Sequence, residues 1–209
     1  MVKSKFESSY GCFRLGNVLF VVVDSLKQKL RRVPILDRWD ELQGWIQKVR
    51  NRRLREALEK FFERHRKEFE NYPASLHHHC NYRGGLLDHT LNVVELAVKI
   101  AHIVGYIDFE NVIVAALLHD VGKLQDYVEV DGKFEDNPFR WASHEVSGLQ
   151  MFQEETGYVL PTYIARAILS HMGGWSRSSA YPNDLLSAII HAADLLSSRL
   201  EVLEVRIDE

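Results

Sequence analysis

The sequence predicts an all-α helical bundle that carries a short N-terminal β element and a small β-hairpin insertion. Three observations support this. Apolar residues recur at three- and four-residue spacing through most of the chain after Pro34. Proline, glycine and acidic first turns punctuate those stretches as helix ends do. Alternating or β-branched text is confined to Phe6–Val23 and Tyr127–Phe134, too little for a sheet-based core. A chain of 209 residues, 46% hydrophobic, is long enough to bury one large core.

In order along the chain, Phe6–Arg14 and Val18–Val23 flank Leu15-Gly16-Asn17 and predict a short hairpin. Asp37 is placed to cap the first helix, with Asp40 and Glu41 in its first turn. Leu54, Leu58, Phe61 and Phe62 form one face of a second helix, and Tyr72-Pro73 closes that region. Leu86–Val104 carries Leu87, Leu91, Val94, Val98 and Ala101 on one stripe, with Gly105 as its stop. Val112–Asp120 reads as a buried helix halted near Gly122. Tyr127–Phe134 has Asp131-Gly132 between alternating apolar residues, the signature of a two-residue hairpin turn. Helices resume at Ser143–Thr156, Pro161–His171 and Pro182 to about Val202. No repeat or low-complexity linker interrupts the helical text, so residues 37–209 are expected to be one domain and residues 1–36 an N-terminal extension.

Composition excludes several classes. A net charge of −3 excludes a histone-like polycation, and 11% aromatic residues argue against disorder throughout. Cys12 and Cys80 are too few for a disulfide framework and lack zinc-ribbon spacing, so a cytoplasmic location is expected. Val18–Val23 and Val112–Leu118, the longest apolar runs, fall far short of a membrane span. Charge is uneven: Lys27–Lys67 holds 14 Lys/Arg against 6 Asp/Glu, leaving 12 against 23 elsewhere. The dense stretch Lys48–Arg55 and the cluster Arg64–Lys67 read either as a solvated helix face or as a surface for phosphate-bearing partners. Trp39, Trp45, Phe61 and Phe62 among them fall at core-like spacing.

The chemistry-bearing residues are histidines and aspartates set in apolar helices. His119-Asp120 follows Ala115-Ala116-Leu117-Leu118, and a buried carboxylate there needs a charged partner or a metal. His89 lies one turn into the Leu86–Val104 helix, and Asp194 lies within the apolar run Ile189–Leu196. His144 and His171 each fall at a helix end. Imidazole and carboxylate donors converging from several helices suit Mn, Fe, Co, Ni or Zn better than Ca. His191 shares a helix face with Asp194, and His102 and His65 read as surface residues.

The segment Leu117–Lys123 (LLHDVGK), with His89 before it and Asp194 after it, resembles the HD-domain metal-dependent phosphohydrolases. Trp39–Leu42, Asn51–Phe62, Tyr72–Ser75 and His77–His89 (HHHCNYRGGLLDH) are similar to the HD region of bacterial 3′-to-5′ exoribonucleases of the YhaM type. The histidine-rich lead-in also resembles HD domains of conjugative relaxase proteins, and the likeness runs from about Asp37 to Leu200. Two features depart from the YhaM pattern. The 36 residues before Asp37 are too few for that group's RNA-gripping N-terminal OB-fold, and Met172 stands where a second histidine follows His171.

The resemblance implies an all-α fold in which His89, His119 and Asp194 hold one divalent ion, His144 and His171 hold a second, and Asp120 bridges them. The alternative is that His144 meets only substrate phosphate. Metal-bound water would be the nucleophile, so no serine or cysteine is required. Lys123 is a candidate catalytic and phosphate-binding residue, and His79, His191 and Arg199 are candidate substrate contacts. The expected activity is hydrolysis of a phosphodiester or phosphomonoester in a nucleotide or at an RNA or DNA end, 3′-to-5′ exoribonuclease-like chemistry included. Alternatives are a hydrolase of a small mononucleotide or cyclic nucleotide, a non-catalytic nucleotide-binding module, and a metal-dependent oxygenase.

Overall fold

The computed structural model describes residues 35–175 and 181–205. The expected N-terminal hairpin and Cys12 lie outside them. Among the described residues there are eight α-helices and one two-stranded antiparallel sheet.

Helix α1 (Ile35–Ile46) begins two residues ahead of Asp37, so Asp37 lies in the first turn instead of capping it. Helix α2 (Arg52–Arg64) is capped by Asn51, whose side chain accepts from the Leu54 N–H at 3.2 Å. Its apolar face, with Leu58, Phe61 and Phe62, is buried as the spacing predicts. After the short α3 (Arg66–Asn71), helix α4 (Gly85–Val104) runs through the core and stops at Gly105, which takes the left-handed φ of 74°.

Helix α5 (Phe109–Leu118) is apolar on every side because it is surrounded: every residue from Val112 to Leu118 is buried. Each large aliphatic side chain among them contributes about 1.5–3 kcal/mol, which makes this helix a rigid base for His119 and Asp120. The helix ends at Leu118, two residues earlier than expected. Asp120 has already left helical geometry (φ −113°, ψ 9°), and a 3₁₀ turn, Val121–Gln125, continues the chain.

Strands β1 (Tyr127–Val130) and β2 (Lys133–Asp136) pair in the expected register around Asp131-Gly132, both at positive φ. Helices α6 (His144–Thr156), α7 (Thr162–Ser170) and α8 (Leu185–Val205) complete the bundle, with a 3₁₀ turn at Gly173–Trp175. Helix α4 packs on α5 and α8, while α6 packs on the 3₁₀ turn after Asp120.

Part of the basic stretch is ion-paired at the surface. Arg50 meets Glu110 at 3.2 Å, Arg52 meets Glu56 at 3.3 Å, and Arg64 meets Glu155 at 3.1 Å. His65, expected on the surface, is instead mostly buried against Phe61 and lies 2.9 Å from Glu155. His102 is exposed as expected. No helix among the described residues is long and apolar enough to cross a membrane.

Candidate metal centre

Histidine and aspartate donors carried by five helices and one turn meet around the Asp120 carboxylate. His89 comes from the second turn of α4, His119 closes α5, and Asp194 lies midway along α8. His144 is the first residue of α6, and His171 closes α7. The two oxygens of Asp120 face different partners. Oδ2 lies 3.3 Å from His89 Nε2 and 3.4 Å from His119 Nε2. Oδ1 lies 3.3 Å from His144 Nε2 and 3.5 Å from His171 Nε2. Asp194 Oδ1 completes the first group, 3.1 Å from His89 Nε2 and 4.0 Å from His119 Nε2. Two donor sets result: His89, His119 and Asp194 in one, and Asp120, His144 and His171 in the other.

The donor set fits metal. His119 Nδ1 donates to the Ala116 carbonyl and His171 Nδ1 to the Ile168 carbonyl, each at 2.7 Å. That leaves the lone pair of each ring on Nε2, pointed into the site. His119 Nε2 then faces His89 Nε2 at 3.3 Å, and His144 Nε2 faces His171 Nε2 at 3.3 Å. Both Asp120 oxygens are buried, Oδ2 against Lys123 Nζ at 2.6 Å and Oδ1 with only imidazole nitrogens at 3.3 and 3.5 Å among the described ion pairs. Acceptors turned toward one another in a dry interior are stabilised by a cation between them.

Electrostatics keep both carboxylates and His144 in ligand-ready form, whereas His89 and His171 are raised: burial opposes their charge, but hydrogen bonds to Asp120, and for His89 also to Asp194, outweigh it. Burial alone favours a neutral Asp120, but Lys123 and His119 outweigh it and hold this carboxyl well below the usual carboxylate range. Asp194 is also depressed, because the His89 hydrogen bond overcomes the effect of burial. Burial takes His144 down to about 3, so its imidazole is neutral. Lys123 Nζ lies 2.6 Å from Asp120 Oδ2, and although burial opposes its charge, Asp120 keeps it protonated.

Close backbone approach builds the site. A Cβ on Gly122 would stand 1.9 Å from the His144 carbonyl oxygen, so only glycine lets the 3₁₀ turn meet the start of α6. A Cβ on Gly85 would lie 2.0 Å from the Cys80 carbonyl, and this contact seats the loop carrying His79 on α4. The His79 ring lies tilted against His89 with centroids 4.6 Å apart, and its Nε2 is buried without a hydrogen bond among the described residues. His77 and His78 are exposed, and His77 pairs with Asp136 at 3.1 Å.

The other two candidate substrate contacts, His191 and Arg199, differ in their position relative to the cluster. His191 Nδ1 donates to the His171 carbonyl at 2.5 Å and so braces the end of α7. Arg199 is exposed on α8, about 140° around the helix from Asp194 at roughly 100° per residue, off the site-facing side.

Sequence reading missed three polar neighbours. Ser197 Oγ lies 3.0 Å from His89 Nδ1. Buried Glu145 and Asp126 flank His144 Nδ1 at 3.7 and 3.8 Å. Ser197 stands three residues after Asp194, a helical spacing that carried the only advance signal.

Several known proteins are similar to the chain. The HD domain family model matches residues 86–199, more than half of the chain, and a putative helicase family model matches residues 39–106. The dihydroneopterin 2′,3′-cyclic phosphate phosphodiesterase of Methanocaldococcus jannaschii is 28% identical over 145 residues, covering 66% of this chain and 56% of that protein. The 3′-5′ exoribonuclease YhaM of Bacillus subtilis is 26% identical over 180 residues, 82% of this chain and 57% of the relative. Its counterpart in Listeria monocytogenes is 22% identical over 175 residues, 79% of this chain and 55% of the relative. The chain thus spans little more than half the length of these relatives. No solved structure matches.

Proposed function

The chain belongs to the HD-domain family, and from that premise we propose that it is a metal-dependent phosphohydrolase acting on a nucleic acid or nucleotide. The observation that carries the proposal is the buried Asp120 carboxylate, with one oxygen turned to each of two donor sets. His89, His119 and Asp194 hold one divalent ion, His144 and His171 hold the other, and Asp120 is shared between them. Ions bound there would lower the pKa of a coordinated water to roughly 7 and polarise the phosphoryl group. N and O donors suit Mn, Fe, Co, Ni or Zn, and manganese is the proposed working ion.

The chain's own residues prepare the reaction. Lys123 keeps Asp120 ionised and adds positive charge beside the incoming phosphate. Ser197 and the Ala116 and Ile168 carbonyls fix the ring orientations of His89, His119 and His171. His79 covers the His89 side and is the candidate substrate contact there. The substrate is a phosphodiester or phosphomonoester of a nucleotide or an RNA or DNA end, met in the cytoplasm. The relatives named exoribonuclease favour a 3′ end. The relative named for a cyclic phosphate favours a small nucleotide as the second reading.

The test is metal content per chain together with turnover of bis(p-nitrophenyl) phosphate after manganese loading. Near two ions with turnover is expected. An absence of turnover after reconstitution with each of the five metals would sink the proposal. Progressive shortening of an RNA oligomer, set against cleavage of mononucleotides or cyclic nucleotides alone, separates the two substrate readings.

A further inference from the structure

A cavity of about 310 Å³ opens directly beside the second donor set. Its wall includes His144 together with Arg140, Trp141, Met172 and Trp175. The two tryptophans are unusually placed. Trp39 is buried at 3% exposure, whereas Trp141 is 62% exposed and Trp175 is 77% exposed. Leaving two indoles in water forfeits apolar burial, which points to a ligand surface when both line one hollow.

Their tethers point the same way. Trp141 precedes His144 by three residues, and Trp175 follows His171 by four. Each indole is therefore anchored to one imidazole that faces Asp120 Oδ1, within a backbone reach of about 10–14 Å. Arg140 adds a cation held by Asp126 at 3.2 Å. A hollow with two aromatic faces, a fixed guanidinium and a phosphate-reactive centre in its wall matches a phosphate ester with a flat, unstacked base attached.

We propose that Trp141 and Trp175 form a stacking subsite for the nucleobase next to the scissile phosphate. This deepens the phosphohydrolase reading and rests on it. Stacking accepts any base, since each has a π-face, so the subsite selects nucleotides over simple phosphate esters without reading sequence. Arg140 meets the phosphate or ribose edge between the base and the metal centre.

The experiment compares ApA, which has a base on either side of its phosphodiester, with glycerophosphoglycerol, a phosphodiester that has no aromatic ring. The manganese-loaded full chain is used as wild type and as Trp141→Ala, Trp175→Ala and the two Trp→Phe variants. For ApA, each alanine variant is expected to raise KM roughly 5- to 150-fold, with kcat little changed and the phenylalanine variants largely restored. Turnover of glycerophosphoglycerol, which has nothing to stack, stays at the wild-type level. Equal losses on both substrates, or an unchanged KM for ApA, would overturn the subsite. Quenching of tryptophan fluorescence by ApA is followed in parallel. If neither ester is hydrolysed, the phosphohydrolase reading fails; quenching that both alanine variants abolish then still supports the subsite, and an absence of quenching overturns it.

Discussion

The two halves of the donor cluster are built differently. His89, His119 and Asp194 project from α4, the end of α5 and the middle of α8, where these helices pack on one another in the core. Both imidazoles of this half are tied behind, His89 by Ser197 at 3.0 Å and His119 by the Ala116 carbonyl at 2.7 Å. Both histidines of the other half stand on helix ends, as only His119 does in the first. His144 opens α6, its Nδ1 has carboxylates at 3.7 and 3.8 Å behind it, and its outer side borders the tryptophan-lined hollow. The difference separates anchoring from access. The first half is preorganised by the core, and in the second His171 is tied to the Ile168 carbonyl while His144 borders the hollow.

The largest effect is expected where the halves join. Asp120→Ala removes the shared carboxylate, so both ions are lost by elemental analysis and turnover falls by at least ~10³-fold, or about 4 kcal/mol of transition-state stabilisation. A metal-replete, fully active variant would dissolve the division into two sets.

Paired variants sharpen the contrast. His89→Ala loses the first-set ion and lowers Tm, because a fully buried ring leaves a cavity next to a depressed carboxylate. His144→Ala retains about one ion per chain and keeps its fold by circular dichroism. Equal metal loss in both would show that the halves load as one unit.

Chelator titration reads the same asymmetry without mutation. The second-set ion is expected to leave first, and removal of the first-set ion then lowers Tm by an amount set by its affinity and concentration. Simultaneous release would count against an anchored first half.

Smaller effects are expected at the supports. Ser197→Ala should weaken first-set metal affinity about 10- to 100-fold while sparing the second set. Arg199→Ala should change stability by less than ~0.5 kcal/mol and leave turnover within about twofold, since it lies off the site-facing side of α8. A large loss of activity in Arg199→Ala would place phosphate contacts on a face this structure turns away.

Local chemistry was legible in the sequence. Apolar spacing located α2, α4 and α5, Gly105 marked the end of α4, and Asp131-Gly132 specified the hairpin, because periodicity and turn preference act over a few residues. The donors were legible as residue types, since His and Asp inside apolar helices need a reason to be there. Distance was not legible. His89 and Asp194 are 105 positions apart yet meet at 3.1 Å, and their contact depends on how α4 and α8 pack. Only the tertiary structure assigned one Asp120 oxygen to each set, placed Ser197 behind His89, turned Arg199 aside and brought Trp141 and Trp175 to one hollow. Helical pattern determines which face a side chain occupies, whereas the packing of helices far apart in sequence determines what that face meets.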